Sequence, residues 1–164
     1  PDYADVRFLV FGDGSELERL KRRVVEENIP NIKFKGFIER RFVPYVLSKS
    51  SVNLLNYTQN GYNWTRGNSS NKLFEYMASG KPVISTVKMG YSIIEKYGCG
   101  VELSECTPEA LADGIRMFHD MEHNTYQRYC QNARCGAKDF DFETLTEKLV
   151  NVIEKVEREW EKRK

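Results

Sequence analysis

Apolar positions along the chain fall into short runs that alternate with amphipathic stretches. Val6–Phe11 is apolar apart from Arg7 and stops at Gly12-Asp13-Gly14, the pattern of a strand covered on both faces. Ser15 with Glu18 forms a capping box, and Leu17, Leu20 and Val24 then recur at helical spacing until Asn28-Ile29-Pro30, which predicts a helix stopped by proline. A short strand follows at Ile32–Phe34, with a turn at Gly36. Phe42–Leu47 reads as a short helix carrying Pro44 in its first turn, where a missing N–H costs little. Val52–Tyr57 is the next strand, and the polar, aromatic-studded stretch Thr58–Ser69 a long loop.

The second half is more regular. Ser70-Asn71-Lys72-Leu73-Phe74-Glu75-Tyr76-Met77-Ala78-Ser79-Gly80 reads as a helix capped by Ser70 and closed by Gly80. Lys81-Pro82 leads into a strand at Val83–Thr86, then a short helix at Ser92–Tyr97 and a short strand at Val101–Leu103. Thr107-Pro108-Glu109 is an N-cap followed by proline, and Leu111, Ile115 and Phe118 form the buried stripe of the helix it opens. Asn124–Ala137 and Phe142–Lys162 are the last helices. Strands separated by helices, with glycines at strand ends, predict an α/β fold: a doubly wound, Rossmann-like parallel sheet flanked by helices. The domain is expected over residues 1–150, with 151–164 as the end of the C-terminal helix. Ligands of such sheets sit at the carboxyl ends of the strands, which singles out Gly12–Ser15, Gly36–Arg41 and Thr58–Ser70.

Composition narrows the function. The 164 residues suffice for one domain with a substantial core. Lys and Arg number 25 against 24 Asp and Glu, a net charge of +1, which argues against a nucleic-acid binder that works by neutralising backbone phosphates. No apolar run approaches the length of a transmembrane helix. Cys99, Cys106, Cys130 and Cys135 form no CxxC pair and read as reduced thiols of a cytosolic protein. The opening PDYADVRFLVFGDG has no basic n-region and is no signal peptide. It begins just ahead of a strand of the buried type, so a further upstream segment is expected.

The helix opened by Ser70 carries the best candidate chemistry. A helix N-terminus exposes unpaired N–H groups and partial positive charge, and so can hold a phosphate. Lys72 in that first turn is unfavourable unless an anion shares it. Asn71, Lys72, Glu75 and Ser79 fall on one side of this helix, and Leu73, Phe74, Met77 and Ala78 on the other. Glu75, one turn below the phosphate-binding end, is placed to accept hydrogen bonds from sugar hydroxyls. A solvated helix with a Lys72–Glu75 ion pair would show the same pattern.

The other signals are weaker. Gly12-Asp13-Gly14 lacks the third glycine of the dinucleotide fingerprint and the GKS/T of a P-loop, and fits a plain strand-to-helix turn. Arg40-Arg41 fits a solvated face better than an anion site. Tyr57, Tyr62 and Trp64 could stack on a base or sugar, or simply cover the sheet edge. His119 and His123 lack an HExxH setting and read as surface histidines. Cys99, between glycines, has no histidine close in sequence to activate it.

In order and spacing, LVFGDGSELERLKRR, NIKFKGFIERRFVPYVLSKSSVNLL, GNSSNKLFEYMASGKPVIST, IIEKYGCGVEL and TPEALADGI together resemble the C-terminal, nucleotide-sugar-binding domain of GT-B fold glycosyltransferases of retaining family 4, the group 1 family. The likeness runs from about Arg7 to Leu149 and is strongest over NKLFEYMASGKPVI. It implies that Glu75 matches the second acid of the family's E-x7-E motif and binds the ribose hydroxyls. Ser70, Asn71 and Lys72 match the segment that lies against the donor diphosphate or sugar, and Glu75 with Lys72 are the implied catalytic pair. Gly12 and Gly14, with Phe37 and Ile38 in the loop that borders the base, complete the implied nucleotide contacts. The first acid of E-x7-E falls at Gly67, a departure that touches catalysis and sugar contact, and a family strand bearing an arginine and a lysine for the diphosphate is absent.

The resemblance implies transfer of a sugar, with retention, from a UDP-, GDP- or other nucleotide sugar to an acceptor hydroxyl. No tightly bound cofactor and no metal are expected. The implied partners are the nucleotide sugar, a missing N-terminal acceptor-binding domain of the same polypeptide, and a glycan, lipid-linked or small-molecule acceptor. No nucleic acid and no transmembrane segment belong to that set. The 164 residues alone are then expected to be inactive. The implied location is the cytoplasm, a peripheral position at the inner membrane surface being open to the full-length enzyme. A sugar-nucleotide epimerase or phosphorylase half on the same scaffold, and a nucleotide-binding module without chemistry, are the alternatives. Val152, Val156 and Trp160 make an apolar stripe on the last helix, with Trp160 expected to be left exposed or to pack on a neighbouring copy.

Overall fold

The computed structural model describes residues 3–57, 64 and 70–162. Contacts divide it into two compact units, Pro1–Val43 and Pro44–Lys164. In the first, β1 (Phe8–Phe11) and β2 (Ile32–Gly36) pair in parallel, Phe8 opposite Ile32 and Val10 opposite Phe34. The crossover is α1 (Leu17–Glu26), which starts later than the Ser15 capping box predicts. The Leu17 N–H bonds to the Gly14 carbonyl at 3.0 Å, which draws Ser15 into a turn. Glu16 takes the N-cap position with no side-chain cap, and its carboxylate pairs instead with Arg19. The helix ends as expected: Asn28 adopts φ 51°, a left-handed conformation that asparagine tolerates better than most residues.

The second unit begins within α2 (Val43–Lys49), which follows a 3-10 turn at Arg40–Phe42. Its sheet is all parallel in the order β3 (Asn53–Leu55), β4 (Val83–Ser85), β5 (Gly100–Glu102). Asn53 pairs with Val83 and Val83 with Gly100. The central strand β4 is buried throughout, as its apolar run requires. β3 is shorter than its sequence predicts because side-chain bonds replace the ladder: the Tyr57 N–H donates to Thr86 Oγ1 at 2.8 Å, and the Thr86 hydroxyl donates back to the Tyr57 carbonyl at 2.8 Å.

Helices cover both faces of this sheet. On one, α3 (Asn71–Ala78), α4 (Ile93–Tyr97) and α6 (His123–Lys138) surround a core of Leu55, Leu73, Met77, Val83, Ile94, Cys99 and Ala133. On the other, α5 (Pro108–His119) packs Phe118 onto Ile84 and Leu103, with Leu111 and Ile115 half-buried beside them. The predicted α5 start holds, since Thr107 accepts from the Ala110 N–H at 3.2 Å with proline in the first turn. This is the expected α/β arrangement of parallel strands flanked by helices.

α3 is fixed at its C-terminal end. A Cβ on Gly136 of α6 would meet Met77 and Tyr97 at 2.7 Å, so only glycine lets α6 approach α3 this closely. Gly80 follows the helix at φ 69°, the left-handed position that lets its N–H bond back to the Met77 carbonyl. The last helix, α7 (Phe142–Glu161), buries no residue, and Trp160 is 59% exposed.

Leu73 and Met77 are wholly buried whereas Glu75 is exposed. Leu73→Ala is therefore expected to lower stability by about 2–5 kcal/mol through a core cavity. Glu75→Ala should change it by only about 0.5 kcal/mol. Urea unfolding of the two variants beside wild type measures both effects.

Candidate functional site

In a crossover between parallel strands the helix runs back against them, so the N-terminus of α3 lies at the carboxyl end of the sheet. Ser70 holds the N-cap position with extended backbone (φ −61°, ψ 131°), and its carbonyl accepts from the Leu73 N–H at 2.9 Å. Its side chain makes no capping bond. This end differs from those of α4 and α5, where the hydroxyls of Ser92 and Thr107 accept from amides three residues on. The first-turn amides of the helix carry the partial positive charge that an anion can use.

Asn71, Lys72 and Glu75 are all exposed on this helix. The polar face is thus as expected, but two of its neighbours change sides. Ala78, expected on the packed face, is exposed. Ser79, expected on the open face, is half-buried: its hydroxyl donates to the Tyr76 carbonyl at 2.6 Å and accepts from Asn53 Nδ2 at 3.2 Å. Ser79 anchors the end of α3 to β3 and has no ligand-facing role. Half-buried Tyr76 follows Glu75, and burial, then the nearby Tyr57 and Glu75, push its phenol above the usual range.

Around α3, Trp64 is half-buried against the core, its ring 5.1 Å from Tyr57. Both rings pack against the core of the second unit. Tyr62 and Gly67 lie outside the described residues. The Trp64 carbonyl accepts the Gly90 N–H at 2.9 Å, from the loop between β4 and α4. That loop is also held by Glu102, a residue that sequence reasoning did not single out. Its carboxylate accepts from the Ser92 hydroxyl at 2.6 Å and the Met89 N–H at 3.0 Å. Burial pushes Glu102 above the usual carboxylate range, although both hydrogen bonds pull it back. The available signal was a lone acid within an otherwise apolar short strand.

The remaining candidates lie in the first unit. Gly12 closes β1 at φ 127°, a conformation that favours glycine, and its N–H bonds to the Gly36 carbonyl at 2.9 Å. A Cβ would meet no neighbour at Gly12 or Gly14, so both backbones stand open to approach. Phe37 and Ile38 follow β2, Phe37 being 71% exposed and Ile38 half-buried. Gly12 and the Phe37–Ile38 loop are thus joined through Gly36, while Ser70, Asn71, Lys72 and Glu75 share one helix of the second unit. Arg41 pairs with Glu39 at 3.0 Å and lies 4.8 Å over the Phe42 ring, on an exposed face.

His119 ends α5 beside Asp120 Oδ1 (2.7 Å), whereas His123 starts α6, so the two do not share a helix. No group of three His, Cys, Asp or Glu that could hold a metal occurs among the described residues. Cys99 is buried and donates to the Ile94 carbonyl, and burial pushes its thiol up to about 11. That disfavours the nucleophilic thiolate.

With this geometry in hand, comparison with known proteins is decisive. A family model described as glycosyl transferases group 1 matches residues 1–120. The chain belongs to the group 1 glycosyltransferases. Solved structures share the fold of this group 1 chain. HepE of Anabaena, crystallised with UDP, aligns over 93% of this chain and 42% of its own, at 19% identity and a TM-score of 0.69. A glycosyltransferase of Rickettsia africae aligns over 93% and 40%, at 17% identity and 0.72. Sucrose-phosphate synthase of Thermosynechococcus elongatus aligns over 90% and 38%, at 21% identity and 0.68. The chain spans less than half the length of each. A search of curated proteins finds no significant match. No helix among the described residues is long and apolar enough to cross a membrane.

Thiol reactivity should follow burial. Cys106 and Cys135 are exposed, Cys99 and Cys130 buried. Iodoacetamide under native conditions should label the exposed pair and spare Cys99 until denaturant is added, as read by mass spectrometry. Cys99 labelled as fast as Cys106 would contradict the assigned burial.

Proposed function

We propose that this chain is the donor-binding part of a glycosyltransferase that transfers a sugar, with retention, from a nucleoside diphosphate sugar to an acceptor hydroxyl. The observation that carries the reading is the N-terminus of α3, an electropositive helix end on which Asn71, Lys72 and Glu75 stand exposed together. Membership of the group 1 family and a relative crystallised with UDP support it. The nucleotide-sugar-binding region is assigned to residues 1–150, with 151–164 ending the C-terminal helix.

In this reading the diphosphate sits at the amides of the first α3 turn. Breaking the sugar–phosphate bond leaves negative charge on the departing diphosphate, and Lys72 with the helix end stabilises it where it develops. Glu75 accepts the ribose hydroxyls one turn below and so fixes the nucleoside. Gly12, Gly14, Phe37 and Ile38 are assigned to nucleotide binding by their match to the family pattern. The acceptor, a glycan, a lipid-linked sugar or a small molecule, is assigned to a further domain of the polypeptide. Proximity of donor and acceptor supplies much of such catalysis, so these 164 residues alone should transfer no sugar from UDP-, GDP- or other nucleotide sugars. Release of labelled product by them would overturn that assignment.

The sharper test is titration calorimetry of UDP and GDP against their 2′,3′-dideoxy forms, with the full-length protein. Wild type should prefer the ribo form of the nucleotide it binds. Glu75→Ala should lose most of that preference, about 1.5–3 kcal/mol for charge-assisted hydrogen bonds. A variant that keeps the full preference refutes the role of Glu75.

A further inference from the structure

Glu102 ends β5 at the carboxyl edge of the second unit's sheet. It is half-buried, and an ionised carboxylate in such a place is costly unless donors satisfy it. Two donors do, and both come from the loop between β4 and α4. Ser92 Oγ donates to Oε1 at 2.6 Å and the Met89 N–H to Oε2 at 3.0 Å. Ser92 Oγ also accepts from the Glu95 N–H at 3.0 Å, so the same hydroxyl joins Glu102 to the first turn of α4. Between these two anchors, Gly90 donates its N–H to the carbonyl of Trp64, which precedes α3 in the chain. One carboxylate thus fixes a loop whose Met89 side chain is buried in the same core as Leu73 of α3.

We infer that Glu102 is a positioning residue for the nucleotide site, holding the β4–α4 loop through Met89 and Ser92 and, through the buried Met89 side chain, the core on which Leu73 of α3 packs. This role rests on the reading of the α3 N-terminus as the nucleotide-binding end. A bidentate acceptor is what the geometry demands. Gln at 102 keeps the size but removes the charge: its Oε1 can still accept from the Met89 N–H while its Nε2 can only donate to Ser92 Oγ, so neither bond keeps its charge assistance. Protonation has the same effect in acid. The charged groups nearest to Glu102 are Glu95 of α4, which disfavours its ionised form, and Lys88 of the loop, which favours it. Burial outweighs the favourable contacts, so the proton binds at a higher pH than on an ordinary glutamate, and the loop loosens as pH falls through that range.

The test uses the full-length protein and UDP-glucose and GDP-mannose, whose diphosphates carry no group that titrates in mild acid. In E102Q at neutral pH, amide exchange at Met89 and Gly90 should accelerate and affinity for the bound nucleotide sugar should fall, each by about tenfold for the lost charge assistance. The thermal midpoint should move little. Wild-type affinity should drop on mild acidification, and E102Q should lack that step, a difference that a merely structural role would not produce. Should E102Q fail to fold, Glu102→Asp, too short to reach both donors, gives the same readouts. Faster exchange with unchanged affinity overturns the positioning role and leaves the nucleotide site standing. Unchanged exchange at Met89 overturns the clamp itself. A wild type that binds neither nucleotide sugar overturns the nucleotide site and this role with it.

Discussion

The packing of Leu73 and Met77 of α3 against the buried strands of the second unit sets the rest of the site. Both side chains are wholly excluded from water, and they meet Leu55 and Val83 in one core. Fully burying two such side chains is worth roughly 1.5–3 kcal/mol each. With 73 and 77 committed to the sheet, the helical period leaves 71, 72 and 75 no direction but outward. The polar face is thus a consequence of the apolar one. From the far side, α6 presses in at Ala133 and Gly136, where any larger residue would collide with Met77 and Tyr97.

Short polar links then fix what packing leaves free. Apolar contact resists separation of α3 from the sheet but does little against sliding. Asn53 supplies the directional term: buried on β3, it accepts from the Ser50 hydroxyl at 2.9 Å and donates to Ser79 at the end of α3. A buried amide needs such partners. Thr86 does comparable work at the carboxyl ends of the strands, and Glu102 beyond it. The sheet is only three strands wide with three residues in each, so its ladder alone gives little register, and side chains just past the strand ends supply the rest.

Group 1 membership fits this division between a packed frame and open ends. In the proposed nucleotide site, glycines and helix termini at strand carboxyl ends offer backbone amides to the ligand without demanding particular side chains. Glu75 and Lys72 add charge on a helix whose position the core already fixes. Rigid support of this kind is what a site needs when electrostatic stabilisation must be in place before charge develops. Cys99 belongs to the packed frame and His119 pairs with Asp120 at the end of α5.

Much of this was legible in the residues. The alternation of apolar runs and amphipathic stretches determined the order of strands and helices, because periodicity records which faces are buried. Thr107-Pro108, Gly80 and Asn28 marked element ends by local backbone preference, which acts within a few residues. The open face of Asn71, Lys72 and Glu75 followed from the same logic. What the sequence could not decide were choices between competing partners. Ser15 and Glu18 satisfy a capping rule, yet the Gly14–Leu17 turn takes precedence, and Ser79 turns inward because Asn53 waits there, 26 residues away in sequence. Glu102 looks like any surface glutamate until β5 lies beside β4 and the loop after β4 offers its donors. Hydrogen bonds between distant residues depend on where the whole fold puts them, and only the tertiary structure settles that.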